Sequence, residues 1–262
     1  KMKGKGQRAK GKGQRAKGKG QRAKEFFRYR SGVSQIAMKI DGGKMNRITT
    51  TVSENPKLVG HFLLVLSYLI LRFVFTQSID ALWPYAFYAI ESGLVVVGLF
   101  WVGRENKQYW SLEFMGERNA AAKWVTATFV GLASGAVVLE IPKHAEMAIP
   151  FDFASANLWF FMLVVAPILE ELLFRHFVWI PVEKIFGKTA ALVSTSALFS
   201  YAHLHAIWFV PEEFHAFIWY QAAYTLILGL ACGWMVSKYR SVYFAVVIHF
   251  AFNLGFYWAA TA

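Results

Sequence analysis

Seven apolar stretches divide the chain, at about residues 58–79, 82–103, 119–141, 157–181, 189–209, 215–237 and 241–260. About 20 consecutive apolar residues cross the hydrocarbon core of a bilayer as a helix, so each stretch predicts one span. The first is no signal peptide, because it is too long, lacks a small-residue cleavage site and runs directly into further spans. The connections alternate in charge. Arg47 and Lys57 precede span 1; Arg104, Lys107, Arg118 and Lys123 lie between spans 2 and 3, Lys184 and Lys188 between spans 4 and 5, and Lys238 and Arg240 between spans 6 and 7. The intervening connections hold Asp80, then Lys143 with Glu146 and Asp152, then Glu212 and Glu213. The positive-inside rule therefore places the N-terminus in the cytoplasm and the C-terminus outside. The expected fold is all-α, a polytopic bundle of about seven transmembrane helices.

Composition agrees, with 56% hydrophobic residues and 24 phenylalanines among 262 residues, outside the range of soluble globular chains. The net charge of +12 would suggest nucleic acid, but residues 1–44 hold 15 of the 28 basic residues against Glu25 and Asp41. The remainder is nearly neutral, so no nucleic-acid partner is expected beyond a weak role of this tail. Its heptad Lys-Gly-Lys-Gly-Gln-Arg-Ala occurs three times, at 3–9, 10–16 and 17–23. It has no apolar face and is expected to be disordered. It reads as an expression tag or translated upstream repeat, with Met38 or Met45 as the natural start, in preference to an anchor for anionic lipid or RNA. Residues 45–156 then form the first three spans, with an aromatic interfacial segment between Arg104 and Lys123, and 157–262 form a four-helix catalytic core. Cys232 is the only cysteine, which removes disulfide and thiolate-cluster readings. Gly131 with Gly135, and Gly229 with Gly233, predict close helix contacts within the fold.

Span 4 carries Glu170, Glu171 and Arg175, span 5 carries His203 and His205, and span 7 carries His249 and Asn253. A charge at the bilayer centre costs roughly 2.5–3.5 kcal/mol even on the lenient insertion scale, so these groups must face a protein interior or a wet cavity. Glu171 and Arg175 are four apart and can pair on one helix face, with Glu170 turned about 100° away. Measured from the inner ends at about 1.5 Å per residue, Glu170 lies ~16 Å deep, His203 ~21 Å, His249 ~12 Å and Asn253 ~18 Å. Four residues from three helices thus reach one layer, which predicts one site.

An unpaired carboxylate in such a layer suits a general base toward water, with imidazoles and an amide to position that water and to bind an oxyanion. Glu170, His203 and His249 would equally suit a divalent metal such as zinc. No His-Glu-x-x-His occurs on any span, and Asp80 and Asp152 both lie at boundaries, which disfavours zincin and aspartyl designs. A serine dyad using Ser194, Ser196 or Ser200 with His203 stays open but has no Gly-x-Ser-x-Gly around it and leaves Glu170 idle.

Glu-Glu-Leu-Leu-Phe-Arg at 170–175, Phe-Ser-Tyr-Ala-His at 199–203 and His-Phe-Ala-Phe-Asn at 249–253 resemble, in order, the three motifs of the CAAX protease and bacteriocin-processing (CPBP, Abi) family. The likeness covers roughly 157–258 and favours the bacterial or archaeal branch. It implies an intramembrane endopeptidase of a bacterial or archaeal cytoplasmic membrane, acting on a membrane-associated or lipid-anchored protein or peptide, with its site open to the cytoplasm. Glu170 would activate water with help from His203, His249 and Asn253 would hold the oxyanion, and Glu171 with Arg175 would brace the site. The family's members divide over metal; the reading here is glutamate-type, with none required. His176 and His205 match no motif and are read as structural, and Arg72 is read as snorkelling outward. Two other classes remain: a catalytically silent scaffold that regulates a membrane partner, and a proton-coupled transporter, for which neither inverted repeats nor paired broken helices are found.

Overall fold

The computed structural model describes residues 56–75, 86–101, 109 and 119–262. The basic tail, the Asp80 connection and all of the interfacial segment before Asn119 except Tyr109 lie outside the described residues. Seven helices account for nearly everything described: α1 (Pro56–Val74), α2 (Ala86–Trp101), α3 (Ala120–His144), α4 (Ala156–Phe186), α5 (Lys188–Leu204), α6 (His215–Tyr239) and α7 (Val242–Thr261). No β-strand occurs among the described residues. This is an integral, multi-pass membrane protein with a helical-bundle fold.

Five helices, α1, α3, α4, α6 with its preceding turn, and α7, are long and apolar enough to cross a membrane. For α2 both ends of the expected span 82–103 lie outside the described residues, and α5 is shorter than expected. Described α2 keeps an apolar segment at Ala89–Gly98. Helix α5 has 17 residues, about 26 Å at 1.5 Å each and less than the ~30 Å core. Beyond Leu204 the chain tightens into a 3-10 turn, His205–Trp208, so the expected span to 209 ends early. At the other end, α4 runs on past Pro181 to Phe186, and the expected 4–5 loop shrinks to Gly187. There φ is 90° and ψ 170°, a conformation glycine adopts without Cβ strain. Lys184 therefore lies in the last turn of α4.

Large apolar side chains such as Val125, Phe129, Ile227 and Trp258 face outward, as they must in lipid, where only backbone hydrogen bonds need internal satisfaction. The small-residue spacing in α3 does what it predicts. A methyl group on Gly135 would collide with the Phe252 carbonyl of α7, and one on Gly255 would collide with the Leu132 carbonyl of α3. The two backbones touch, and α7 is thereby fixed against α3 with its polar face turned toward α4.

Gly135→Leu should force these helices apart. Overpacking costs about 1–3 kcal/mol or more, so the melting temperature in detergent should fall by several degrees, whereas Gly93→Ala, whose Cβ meets nothing within 4 Å, should leave it unchanged or raised.

Candidate active site

Helix α4 is where the buried charge collects. Arg175 is completely buried: Nη1 donates to Thr195 Oγ1 of α5 at 3.2 Å, Nη2 donates to the Gly229 carbonyl of α6 at 3.0 Å, and Nε lies 3.2 Å from Glu171 Oε2 as an ion pair without hydrogen-bond geometry. The guanidinium also stands over the Phe199 ring, 5.4 Å from its centre. The absent side chain at Gly229 is what admits it, since a Cβ there would lie 3.3 Å from Arg175 Nη2. The expected Glu171–Arg175 pair is thus formed. Glu171 then reaches across to α7, with its Oε1 3.0 Å from His249 Nδ1. A carboxylate can only accept, so Nδ1 carries the proton and Nε2 points onward, 3.7 Å from Glu170 Oε2. The run Arg175, Glu171, His249, Glu170 links the brace to the edge of a cavity. The two glutamates differ as the 100° rotation predicts: the Glu171 side chain is 1% exposed and that of Glu170 27%.

Helix α4 is not a uniform α-helix. Two stretches widen into π-helix, Phe161–Val165 and Leu173–Val178, each closing a few residues before a proline, Pro167 and Pro181. The first bears on the site. The Ala166 amide bonds to the Phe161 carbonyl, and Pro167 has no amide hydrogen, so the Met162 carbonyl loses its helical donor. Asn253 of α7 supplies one, with Nδ2 donating to Met162 O at 2.8 Å. A primary amide has two donors, and the second remains for the cavity that Asn253 lines.

His203 occupies the last turn of α5, held by Nδ1 donating to the Phe199 carbonyl at 2.9 Å. That bond fixes the proton on Nδ1 and leaves Nε2 as an acceptor. The Phe199 ring stands edge-on to both imidazoles, 4.8 Å from His203 and 5.6 Å from His249. A cavity of about 150 Å³ is lined by Glu170, His203, His249 and Asn253 together, so the four residues expected in one layer share one chamber. A second compartment of about 340 Å³ adjoins it through the shared Glu170, His203 and Gln221 and extends to Tyr68, Arg72 and Glu91. Among the described residues no three His, Cys, Asp or Glu side chains converge to hold a metal ion, so the set Glu170, His203 and His249 does not fit as a zinc site in this arrangement.

Other expectations change. Arg72 does not snorkel outward: its Nε lies 3.6 Å from Glu91 Oε1, which also accepts from the Tyr68 hydroxyl at 2.8 Å. Gln221 and Thr225 of α6 line the chamber although that helix carries no family motif; a glutamine inside an apolar run was the available signal. His205 packs against Phe73 and Phe209 and lines neither compartment, and His176 is buried in the core, in keeping with structural roles. The candidate serines are equally remote: Ser200 Oγ donates to the Ala222 carbonyl, and none of Ser194, Ser196 and Ser200 lines the chamber. Both compartments take their lining from mid-depth and from the end of the bundle nearest the connections at 145–155 and 205–214, including Pro150, Phe151 and Val210. By the charge alternation those connections lie outside, so a cytoplasmic opening and a cytoplasmic N-terminus do not both hold.

Residues 152–255 match the family model described as "Type II CAAX prenyl endopeptidase Rce1-like". No curated protein and no solved structure matches.

Glu171→Gln should destabilise the protein, because it leaves Arg175 buried beside a neutral amide; breaking a buried ion pair costs about 3–5 kcal/mol. A lowered melting temperature and reduced yield of folded protein are expected, and Arg175→Lys should not restore the Thr195 and Gly229 bonds. An unchanged melting temperature in Glu171→Gln would show that the pair bears no load.

Proposed function

We propose, from the match of residues 152–255 to the model of the type II CAAX prenyl endopeptidase family, that this chain is an intramembrane endopeptidase that cuts a peptide bond of a membrane-associated or lipid-anchored substrate with a glutamate-activated water. The observation that carries this reading is the sharing of one chamber by Glu170, His203, His249 and Asn253. Glu170 is the more open of the two carboxylates, and no arginine or lysine pairs with it among the described residues; Glu171 is committed to Arg175 and His249.

A water between Glu170 and His203 donates one hydrogen to each, to a carboxylate oxygen and to His203 Nε2. As its oxygen attacks the carbonyl carbon, its proton passes to Glu170. The carbonyl oxygen becomes an alkoxide facing α7, where the second amide hydrogen of Asn253 is one donor and His249, when protonated at Nε2, is the other. Such donors act strongly where water is scarce. Collapse of the tetrahedral intermediate breaks the C–N bond, and Glu170 returns the proton to the leaving nitrogen. One carboxylate thus serves first as base and then as acid, with no residue acylated. The products are a new carboxyl end and a new amine end, and no metal enters any step.

Mass spectrometry of peptide ends in membranes from cells carrying wild type or Glu170→Gln tests this. General acid–base groups contribute about 10²–10⁴-fold, so ends produced by the wild type should vanish in the mutant while its melting temperature stays within a degree or two. Full activity in Glu170→Gln would remove Glu170 from the chemistry. Metal content of the active protein is a separate expectation: substoichiometric zinc and insensitivity to chelators. Stoichiometric zinc with loss of activity on chelation would instead make Glu170, His203 and His249 ligands.

A further inference from the structure

Three independent features of the bundle mark which end of it carries the chamber. The first is the lining. Every residue contributed by α6 lies in that helix's first 14 positions, Ile218 to Leu228, and every residue contributed by α7 lies at or beyond its eighth position, His249 to Phe256. Pro150, Phe151 and Val210 complete the wall from the connections at that same end. Nothing from the Gly187 turn or the Arg240–Ser241 turn lines either compartment.

The second is an aromatic layer. Trp159 near the start of α4, Trp208 in the turn after α5, Trp219 near the start of α6 and Trp258 near the end of α7 are all exposed, on four elements that meet at the chamber's end. Tryptophan concentrates where lipid headgroups meet the hydrocarbon. The layer therefore sets the membrane surface just above the chamber, with Glu170 about 16 Å below Trp159 at 1.5 Å per residue. Water and substrate reach the site from this surface.

The third is charge. At this end the last turns and connections bring Lys143 and, paired with Glu91, Arg72 as their lysine and arginine, against Asp80, Glu146, Asp152, Glu212 and Glu213. The opposite end brings Lys57, Lys123, Lys184, Lys188, Lys238 and Arg240. Orientation is governed by lysine and arginine in short connections, which stay cytoplasmic.

Together these lead us to infer that the chamber opens on the non-cytoplasmic side of the membrane, so that the chain cuts peptide segments that have already crossed the bilayer or are anchored in its outer leaflet. A prenylated tail lying in the cytoplasm would face the closed end. The substrate class rests on the endopeptidase reading above; the sidedness does not.

The test separates the two. In full-length protein with Cys232→Ala, single cysteines are placed at exposed positions beside the chamber (Glu213→Cys, with Glu212→Cys as a second choice) and at the opposite end (Lys188→Cys, with Lys238→Cys as a second choice). Intact cells are treated with a membrane-impermeant maleimide, then permeabilised and probed with a second label. The expected result is loss of the second label at 213 or 212, and its full retention at 188 or 238. The reverse pattern, or the same accessibility at both ends, would overturn the inference and leave Glu170 and its chemistry untouched. Conversely, the expected labelling with unaltered peptide ends in Glu170→Gln would keep the sidedness and discard the protease.

Discussion

Arg175 is a full positive charge with no exposure, placed within a helix that crosses a membrane, and most of the core is arranged to make that tolerable. An unpaired charge would cost several kcal/mol in such a setting. Its partners come from Glu171 on its own helix, Thr195 on α5 and Gly229 on α6, while Glu171 is shared with His249 on α7. Four helices are therefore held in one relative register by hydrogen bonds with fixed directions. Apolar packing against lipid-like neighbours gives little direction of its own, because hydrocarbon tails are as apolar as leucine. The polar cluster supplies the specificity that packing cannot, and the cavity beside it inherits its shape. Glu170 differs from Glu171 by one residue in sequence and by its whole environment in space, and that difference sets brace apart from candidate base.

A second constraint acts through the backbone. Every carbonyl at membrane depth needs a donor, since no bulk water is present to provide one. Pro167 deprives α4 of a donor, and the π turn before it redirects another, leaving Met162 O to be satisfied from outside the helix. Asn253 does so, and is thereby positioned at the chamber wall with one donor left over. The widened turn and the asparagine depend on each other: π segments are often found at functional sites, and here the reason is visible in a hydrogen bond between two helices. His203 is fixed in the same manner, by a backbone carbonyl that takes one ring nitrogen and releases the other.

Hydrophobic period and the cost of buried charge were legible in the sequence. Apolar length located seven helices within a few residues, and charge in apolar surroundings picked out Glu170, Glu171, Arg175, His203, His249 and Asn253, because expensive residues have few bland explanations. The four-residue spacings placed Glu171 with Arg175 and His249 with Asn253 on shared faces, and both pairs share a face here. Features that depend on tertiary partners stayed hidden. The π turns in α4 require bookkeeping of individual carbonyls. The inward turn of Arg72 depends on Glu91 lying across from it, and nothing local distinguishes that from snorkelling. Gln221 was legible as a polar residue but not as a chamber wall, since no second polar group four residues away on α6 drew attention to it except a threonine that bonds to its own helix. The early end of α5 comes from a 3-10 turn that hydropathy does not register.

The two ends of the bundle differ in how their described residues are joined. At the basic end α4, α6 and α7 converge through Glu183, which accepts from Trp179 Nε1 at 2.7 Å and from Arg240 Nη1 at 2.7 Å, and also from the Tyr109 hydroxyl. Arg240 can reach it because it adopts a left-handed conformation, φ 54°, that ends α6 and turns the chain into α7 within two residues. Burial, together with the bond to Glu183, pushes the Tyr109 phenol above its ordinary range, so it remains a neutral donor. Trp179, Ile180, Val236, Val242 and Phe244 are all essentially inaccessible there, and Trp124 stacks on Phe244 at 4.1 Å. Among the described residues, short turns and interlocked aromatics pack this end closely. At the other end the connections are longer and the helices are joined by side chain to backbone bonds at single points, such as the Tyr220 hydroxyl to Val138 O. Among the described connections, the tight turns at Gly187 and at Arg240–Ser241 lie at one end and the longer ones at 145–155 and 205–214 at the other, so the polar cluster at mid-depth has the Glu183 network on one side and the chamber on the other.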